Sequence, residues 1–174
     1  MSQYITGRPD SSEHAPYYGK YIQLVPEDDI VGAMALQTEQ TLHFLRTLPS
    51  SIGSKRYAPD KWSVNEVIGH ISDGERVFAG RALFFARNAP GAHPSMEQND
   101  WINAAAFGNQ RLEDLITEFE FVRRSSLSFF RQLTEEAWRR RGIASDNEFS
   151  VRSLAYIIVG HERHHLEILK TRYV

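Results

Sequence analysis

The chain has 174 residues, a formal net charge of −2 and no cysteine. Its length fits a single domain, and its slight negative charge argues against nucleic-acid binding through bulk positive charge. The absence of cysteine excludes disulfides, thiolate metal sites and a cysteine nucleophile, so a metal site has to use the seven histidines, carboxylates or water.

Residues 1–25 are rich in tyrosine and show no helical period, which predicts an ordered N-terminal arm that covers these aromatic side chains, Tyr4 among them. The opening lacks the apolar core of a secretory signal. No apolar run reaches the roughly 18 residues that a membrane span needs. We therefore expect a cytoplasmic protein with no membrane partner. No repeat or change of composition divides the chain, which predicts one domain over residues 1–174.

Four segments with helical periodicity follow the arm. The first begins after Pro26, among acidic residues that suit a helix N-terminus, and ends before Pro49. The second begins at Ser63 and Glu66, which match a capping box, and runs to about Asn88. Each segment carries an apolar stripe along one side, as expected of helices that pack on a common core.

The third helix is predicted from about Arg111 to Leu133, and a short helical turn follows over residues 135–140. The fourth begins at Ser150, whose hydroxyl suits an N-cap, and runs to about Arg172. The connection before the third helix is predicted as a loop, and no segment shows the alternation of a strand. The sequence therefore predicts an all-α four-helix bundle with an irregular N-terminal arm and a short extra helix.

The last helix carries two histidines within its apolar stripe. His161 and His165 project from the same side of the helix, one turn apart, and each imidazole needs a polar partner in the core. Two interpretations stay open: core histidines bonded to carbonyls or to each other, or ligands of one metal ion. His70 on the second helix is the best candidate for a third ligand, because Gly74 leaves room over its imidazole. Three histidines would leave a free position for water or substrate.

The other four histidines show no comparable pairing. His43 lies beside an apolar edge of the first helix and is a competing ligand without a partner. His14 and His93 lie in the arm and in a loop and are expected to face solvent, and His164 is expected at the surface or at the rim of the site. These four positions are therefore not assigned to the metal.

The charged residues outside the histidine pair include Asp73, which has two interpretations, and two short basic runs, which have one. Asp73 either orients a ligand imidazole or is an exposed carboxylate. The basic runs Arg123-Arg124 and 139–141 are interpreted as solvated faces or loop edges.

The segment from His161 to His165 also matches H-E-x-x-H, the zinc-peptidase signature, in which Glu162 would be the general base acting on metal-bound water. The alternative for Glu162 is a solvated glutamate on the helix face. A peptidase is disfavoured because only nine residues follow His165, no predicted strand is available for an extended peptide, and a bundle interior gives a narrow cavity.

Three stretches of the sequence carry a family resemblance that covers nearly the whole chain. They are Arg56-Tyr-Ala-Pro-Asp-Lys-Trp-Ser-Val-Asn-Glu-Val-Ile-Gly-His70 with Asp73 and Glu75, then Gln98-Asn-Asp-Trp101, and finally Ser150-Val-Arg-Ser-Leu-Ala-Tyr-Ile-Ile-Val-Gly-His161-Glu-Arg-His-His165. In these stretches the chain resembles the DinB/YfiT-like superfamily of metal-dependent enzymes.

The resemblance implies a four-helix bundle in which three histidines, matching His70, His161 and His165, hold a divalent metal ion, commonly zinc or nickel. It also implies a small-molecule substrate and a homodimer. Relatives transfer low-molecular-weight thiols to electrophiles, isomerise substrates with a thiol cofactor, or are described as hydrolases. The expected reaction is therefore metal-activated attack by a thiol cosubstrate, as in an S-transferase, or by water, as in a hydrolase. The alternative is a non-catalytic, metal-stabilised helical binding module.

Overall fold

The computed structural model describes residues 6–174, so the first five residues of the predicted arm, with Tyr4, lie outside the described residues. The helices of the described chain are α1 (Gly19–Ile22), α2 (Ile30–Arg46), α3 (Val64–Ala86), α4 (Gln98–Ala105), α5 (Leu112–Phe130), α6 (Glu135–Arg139) and α7 (Val151–Ile168), and its strands are β1 (Arg141–Ala144) and β2 (Asn147–Ser150). A π-helical turn, Leu169–Tyr173, extends α7. No helix in residues 6–174 is both long enough and apolar enough to cross a bilayer.

The four predicted long helices are confirmed as α2, α3, α5 and α7. The predicted capping box opens α3: the Ser63 hydroxyl accepts a bond from the Glu66 backbone N–H, and the Glu66 carboxylate accepts one from the Ser63 N–H. Ser150 caps α7 through its hydroxyl alone, which accepts a bond from the Ser153 N–H at 3.0 Å. Helix α3 packs on α5 and α7, and α2 packs on the same two helices, which forms the predicted bundle.

Two predictions about connections are wrong. Residues 141–150 form a hairpin of two short antiparallel strands, where no strand was predicted. Its two turn residues, Ser145 and Asp146, both have positive φ, of 49° and 58°. Such turns match the twist of paired strands but usually carry glycine or asparagine, so the turn signal is weak in this sequence. Helix α4 occupies part of the segment predicted as a loop.

The bundle interior consists of two apolar clusters with polar side chains between them. One cluster lies around the hairpin and the N-terminal end of α7, and the other lies around the C-terminal end of α7. All four long helices contribute buried polar residues between the clusters, and we call this set the polar layer: Gln37, Thr38, Thr41, His70, Glu75, Arg123, His161, Glu162 and His165. The layer is where the candidate site lies.

The described part of the arm packs on the bundle through α1. The backbone of Tyr21 approaches α7 so closely that a Cβ on Gly160 would lie 2.0 Å from the Tyr21 carbonyl oxygen, so only glycine fits there. The carboxylate of Glu13, earlier in the arm, accepts a bond from Arg152 Nε of α7 at 2.7 Å. These contacts bring the arm tyrosines beside the polar layer.

Candidate metal centre

The three histidines predicted as ligands meet in the polar layer. The Nε2 atom of His161 lies 3.0 Å from Nε2 of His70 and 3.1 Å from Nε2 of His165. One ligand atom of each residue lies within 4.8 Å of the other two. Four-residue spacing on α7 aligns His161 with His165, and the packing of α3 against α7 adds His70. The structure therefore brings the three predicted side chains together at one point.

Burial keeps these imidazoles neutral at physiological pH. Desolvation lowers the pKa of His70 to about 4. Desolvation, followed by the proximity of His70, His164 and Lys20, lowers the pKa of His165 to about 3. The pKa of His161 is lowered well below its usual value, again first by burial and then by His165 and His70. Neutral imidazole is the form that binds a metal ion.

Hydrogen bonding among the histidines does not satisfy the cluster. A neutral imidazole has one N–H and one lone pair, on different nitrogens. Because Nε2 of His161 faces two other Nε2 atoms and carries either one N–H or one lone pair, it can complete a linear hydrogen bond with only one of them. Tetrahedral metal–nitrogen bonds of about 2.0–2.1 Å place ligand nitrogens about 3.3–3.4 Å apart, within a few tenths of an ångström of the two Nε2 spacings of 3.0 and 3.1 Å. The three nitrogens therefore fit a metal ion.

Aromatic rings set the orientation of the ligands. The Trp62 ring lies against the imidazole of His70, with centroids 4.7 Å apart, and stacks at 6.3 Å on that of His165. Tyr21 contacts His161 edge to face at 5.3 Å. The buried Nδ1 of His70 has no hydrogen-bond partner among residues 6–174. Packing on Trp62, rather than a carbonyl or carboxylate at Nδ1, therefore holds the His70 ring.

Gly74 has a different neighbour from the one predicted. A Cβ at this position would lie 3.2 Å from Cε1 of His161, so the glycine leaves room over His161 rather than over His70. The sequence places Gly74 one turn from His70. It does not show which histidine of α7 packs against that turn of α3.

A cavity of about 240 Å³ leads to the histidines between the arm and α3. His70 and His161 line it, and His165 does not. The remaining wall comes from the arm, from α3, and from the start of α4 with the two residues before it, and consists of Tyr17, Tyr18, Tyr21, Gly74, Val77, Phe78, Arg81, Met96, Glu97 and Gln98. The centre is thus reached from one side, as substrate access requires.

The environment of Glu162 contradicts its interpretation as a solvated glutamate and gives its carboxylate a structural role. The side chain is fully buried, so it is not a solvated glutamate. One carboxylate oxygen accepts a bond from Thr41 at 2.5 Å, and the other lies 2.6 Å from Arg123 Nη2 and 2.5 Å from Gln37 Nε2. Because all of these partners hold the carboxylate among α2, α5 and α7, we do not propose Glu162 as the base for a metal-bound water.

Arg123 links this carboxylate to a second one. Its guanidinium makes a bidentate ion pair with Glu75, at 2.8–3.0 Å, besides its contact with Glu162. Burial lowers the pKa of Arg123, but the two carboxylates raise it by more. The prediction of a solvated face is wrong for Arg123, which is fully buried. Two buried carboxylates against one guanidinium leave a formal negative charge in the layer, which complements a cation.

The sequence did contain a signal for this ion-pair network. Arg123 continues the spacing of the apolar residues Phe119 and Leu127 on α5, and Glu75 lies between Ile71 and Phe78 in the stripe of α3. A charged residue at a core-facing position of a helix indicates a buried partner of opposite charge.

The other histidines lie away from the centre or at its edge. His43 is exposed, and His14 and His93 are half-buried rather than solvent-facing. The His93 ring packs on Phe84, with centroids 4.6 Å apart. His164 is half-buried and contacts His165 edge to face at 5.1 Å, which places it at the rim.

Asp73 is half-buried and lies 3.6 Å from Arg76, one turn along α3. Burial, opposed in part by Arg76, raises the pKa of its carboxyl. No hydrogen bond joins Asp73 to a histidine of the centre among the described residues.

Comparisons with known proteins agree with this architecture. The family model of the DinB superfamily matches residues 33–169. Among solved structures, the chain is similar to YfiT from Bacillus subtilis, described as a probable metal-dependent hydrolase with an unusual four-helix bundle topology. The two chains are 15% identical, with a TM-score of 0.64, and the match covers 93% of this chain and 91% of YfiT. At this identity the likeness shows the fold. No curated protein sequence matches.

Proposed function

The chain belongs to the DinB superfamily, and from that premise we propose that it is a metal-dependent enzyme whose divalent ion is held by His70, His161 and His165. The observation that carries the proposal is the convergence of three buried, neutral imidazoles beside a cavity. Zinc and nickel suit three nitrogen ligands of this kind.

A catalytic role is better supported than a purely structural one. Structural zinc sites are usually closed by a fourth protein ligand. Among residues 6–174, the group of possible ligands at this point consists of the three histidines alone. The cavity touches two of them, so a small molecule can approach the remaining coordination position. This combination argues against a non-catalytic binding module.

The residues around the centre have separable roles. When bound, the ion lowers the pKa of a coordinated water or thiol, which supplies a nucleophile at neutral pH. Trp62, which does not line the cavity, covers His70 and His165, and Tyr21 and Phe78 form apolar walls beside His161. The Glu75–Arg123–Glu162 network fixes α5 against α3 and α7 and thereby holds the two ligand-bearing helices in register.

Two nucleophiles fit this centre. Water gives a hydrolase, the class named for YfiT. A low-molecular-weight thiol cosubstrate gives an S-transferase, and the lack of cysteine in the chain means that no protein thiolate competes for the ion.

A paired assay separates the two nucleophiles. Zinc- or nickel-loaded protein is incubated with p-nitrophenyl acetate, and separately with chlorodinitrobenzene, with and without bacillithiol or glutathione. Metal-dependent turnover that needs no thiol supports the hydrolase, and turnover that requires thiol supports the transferase. His161→Ala is the matched inactive control. Equal turnover in wild type and in this variant would contradict the proposal that the protein is a metal-dependent enzyme.

The homodimer also remains a proposal, and the molar mass in solution tests it. A mass of twice 20.0 kDa supports a dimer, and a mass of 20.0 kDa contradicts it.

A further inference from the structure

Arg81 is a buried cation in the wall of the cavity that leads to the histidines. Its side chain lies on α3 with only 3% of the residue exposed, and it lines the same cavity as His70 and His161. Its Nη2 atom donates to the Pro94 carbonyl oxygen at 2.5 Å and to the Ser145 hydroxyl at 3.3 Å. Both partners are neutral, so these bonds orient the guanidinium without balancing its charge.

No carboxylate within residues 6–174 forms an ion pair with Arg81, whereas Arg123, the other fully enclosed arginine, has two. The groups facing Arg81 are the Tyr18 hydroxyl from the arm and the ring of Phe78, whose centroid lies 5.9 Å from Cζ. Glu97 lines the same cavity but is exposed. Desolvation lowers the pKa of Arg81, as expected for a guanidinium without an anion.

Burying a charge without a counter-charge is unfavourable, and buried charges in native proteins are normally paired with an opposite charge. The guanidinium has five N–H donors in a planar fork that matches a carboxylate; the bonds to Pro94 and Ser145 use Nη2, and the Tyr18 hydroxyl takes one further bond, so donors remain for a ligand. The position of this donor set inside the access cavity indicates that its anionic partner arrives with the substrate.

We propose that the enzyme acts on a small carboxylic acid, whose carboxylate binds Arg81 while its reacting end lies at the histidine centre. This inference rests on the proposed function and adds the substrate class to it. Arg81 follows His70 by eleven residues on α3, about 16 Å along the helix axis. The Arg81 guanidinium lies over the ring of Phe78, one turn nearer to His70, which shortens this gap. Between the two ends, Val77, Phe78 and Met96 provide apolar wall for a carbon chain.

A purely structural role for Arg81 makes a different prediction. Its bonds to Pro94 and Ser145 also join α3 to the hairpin and to the segment before α4. If that were its whole role, replacing it would lower stability without changing which ligands bind. The test must therefore compare two ligands that differ only in charge.

The experiment uses cobalt(II)-loaded full-length protein and two series of probes of matched, increasing chain length: ω-mercapto acids and ω-mercapto alcohols. The thiol binds the metal, and the thiolate-to-cobalt charge-transfer absorbance gives the dissociation constant. We expect wild type to bind the acid about tenfold more tightly than the alcohol at the best chain length, as one charge-assisted hydrogen-bonded pair provides. In Arg81→Gln the ratio of the alcohol and acid dissociation constants should fall to about one. The affinity for the alcohol should stay within about twofold of that of wild type.

Two further variants complete the comparison. Arg81→Lys keeps the charge and should retain part of the ratio even if Arg81→Gln fails to fold. Arg124→Gln, at an exposed arginine of α5 outside the cavity, is the matched control and should retain the whole ratio. A ratio near one in wild type, or an unchanged ratio in folded Arg81→Gln, would overturn the inference. Failure of cobalt to bind wild type at all would instead overturn the proposed function.

Discussion

The Nε2 atoms of His70 and His161 lie 3.0 Å apart, although 91 residues separate them in the chain. The contact depends on the packing of α3 against α7 and on the Gly74 position, where a side chain would meet the His161 ring. It also depends on a polar layer that crosses all four long helices. The centre is therefore a property of the whole bundle, and changes on α2 or α5 should affect it through packing.

Arg123 is expected to be the most important charged residue for stability. Arg123→Met removes the cation from between Glu75 and Glu162 and leaves two buried carboxylates without a partner. We expect the free energy of unfolding to fall by about 3–5 kcal/mol, measured by urea denaturation. Arg124→Met, on the exposed neighbour, should change it by less than about 1 kcal/mol. Equal effects of the two substitutions would show that the buried network does not stabilise the bundle.

Glu162→Gln distinguishes a structural carboxylate from a general base. An amide in this position can still bond to Thr41 but weakens the contacts with Arg123 and Gln37. We expect a loss of about 1–3 kcal/mol in stability and an unchanged metal-to-protein ratio. Wild-type stability together with complete loss of the turnover seen in the paired assay would instead assign Glu162 as the base.

Gly74 is expected to control the space over His161. Gly74→Val adds branched bulk where even a Cβ lies 3.2 Å from the His161 ring. It should therefore reduce metal affinity at least about tenfold while the helical circular-dichroism spectrum is retained. Gly80→Ala on the same helix meets no atom within 4 Å among the described residues, so it should stabilise the protein by about 0.5–1 kcal/mol and leave affinity unchanged. Wild-type metal affinity in Gly74→Val would contradict this role.

Glu13 gives the arm a defined pH dependence. Burial alone would raise the pKa of Glu13, but bonds from Arg152 and from the Asp10 N–H lower it to about 2. A carboxylate whose pKa is lower in the folded state contributes stability above its unfolded pKa of 4.5 and loses it as the pH falls toward 2. Glu13→Gln should therefore lose about 2 kcal/mol at neutral pH and less below about pH 3.

Urea denaturation of the metal-free protein at several pH values provides the measurement for Glu13. Glu148→Gln, at an exposed carboxylate paired with Arg141, is the control; it keeps Glu13, so its stability should fall with pH as steeply as that of wild type. A Glu13→Gln variant whose stability falls with pH as steeply as that of wild type would exclude this ion pair as the source.

The sequence predicted the helices well because local signals define them. The capping box at Ser63 and the N-cap at Ser150 fix where α3 and α7 begin, and the four-residue spacing of His161 and His165 fixes their shared side. The same periodicity identified His70 as the partner on α3, since a histidine beside a core stripe faces the neighbouring helices.

The features that the sequence did not predict depend on contacts between helices and strands. The burial of Arg123 is decided by Glu75 on α3 and Glu162 on α7, which no local pattern connects. The hairpin was missed because Ser145 and Asp146 adopt positive φ without glycine. The cavity depends on how the arm packs on α7, which is a matter of tertiary structure.

The most direct test of the central claim is the metal-to-protein ratio, measured by elemental analysis after zinc loading and removal of free metal. Wild type should retain one ion per chain, His161→Ala should retain almost none, and the exposed His43→Ala should match wild type. A His161→Ala protein that is folded and still holds one ion per chain would contradict the account.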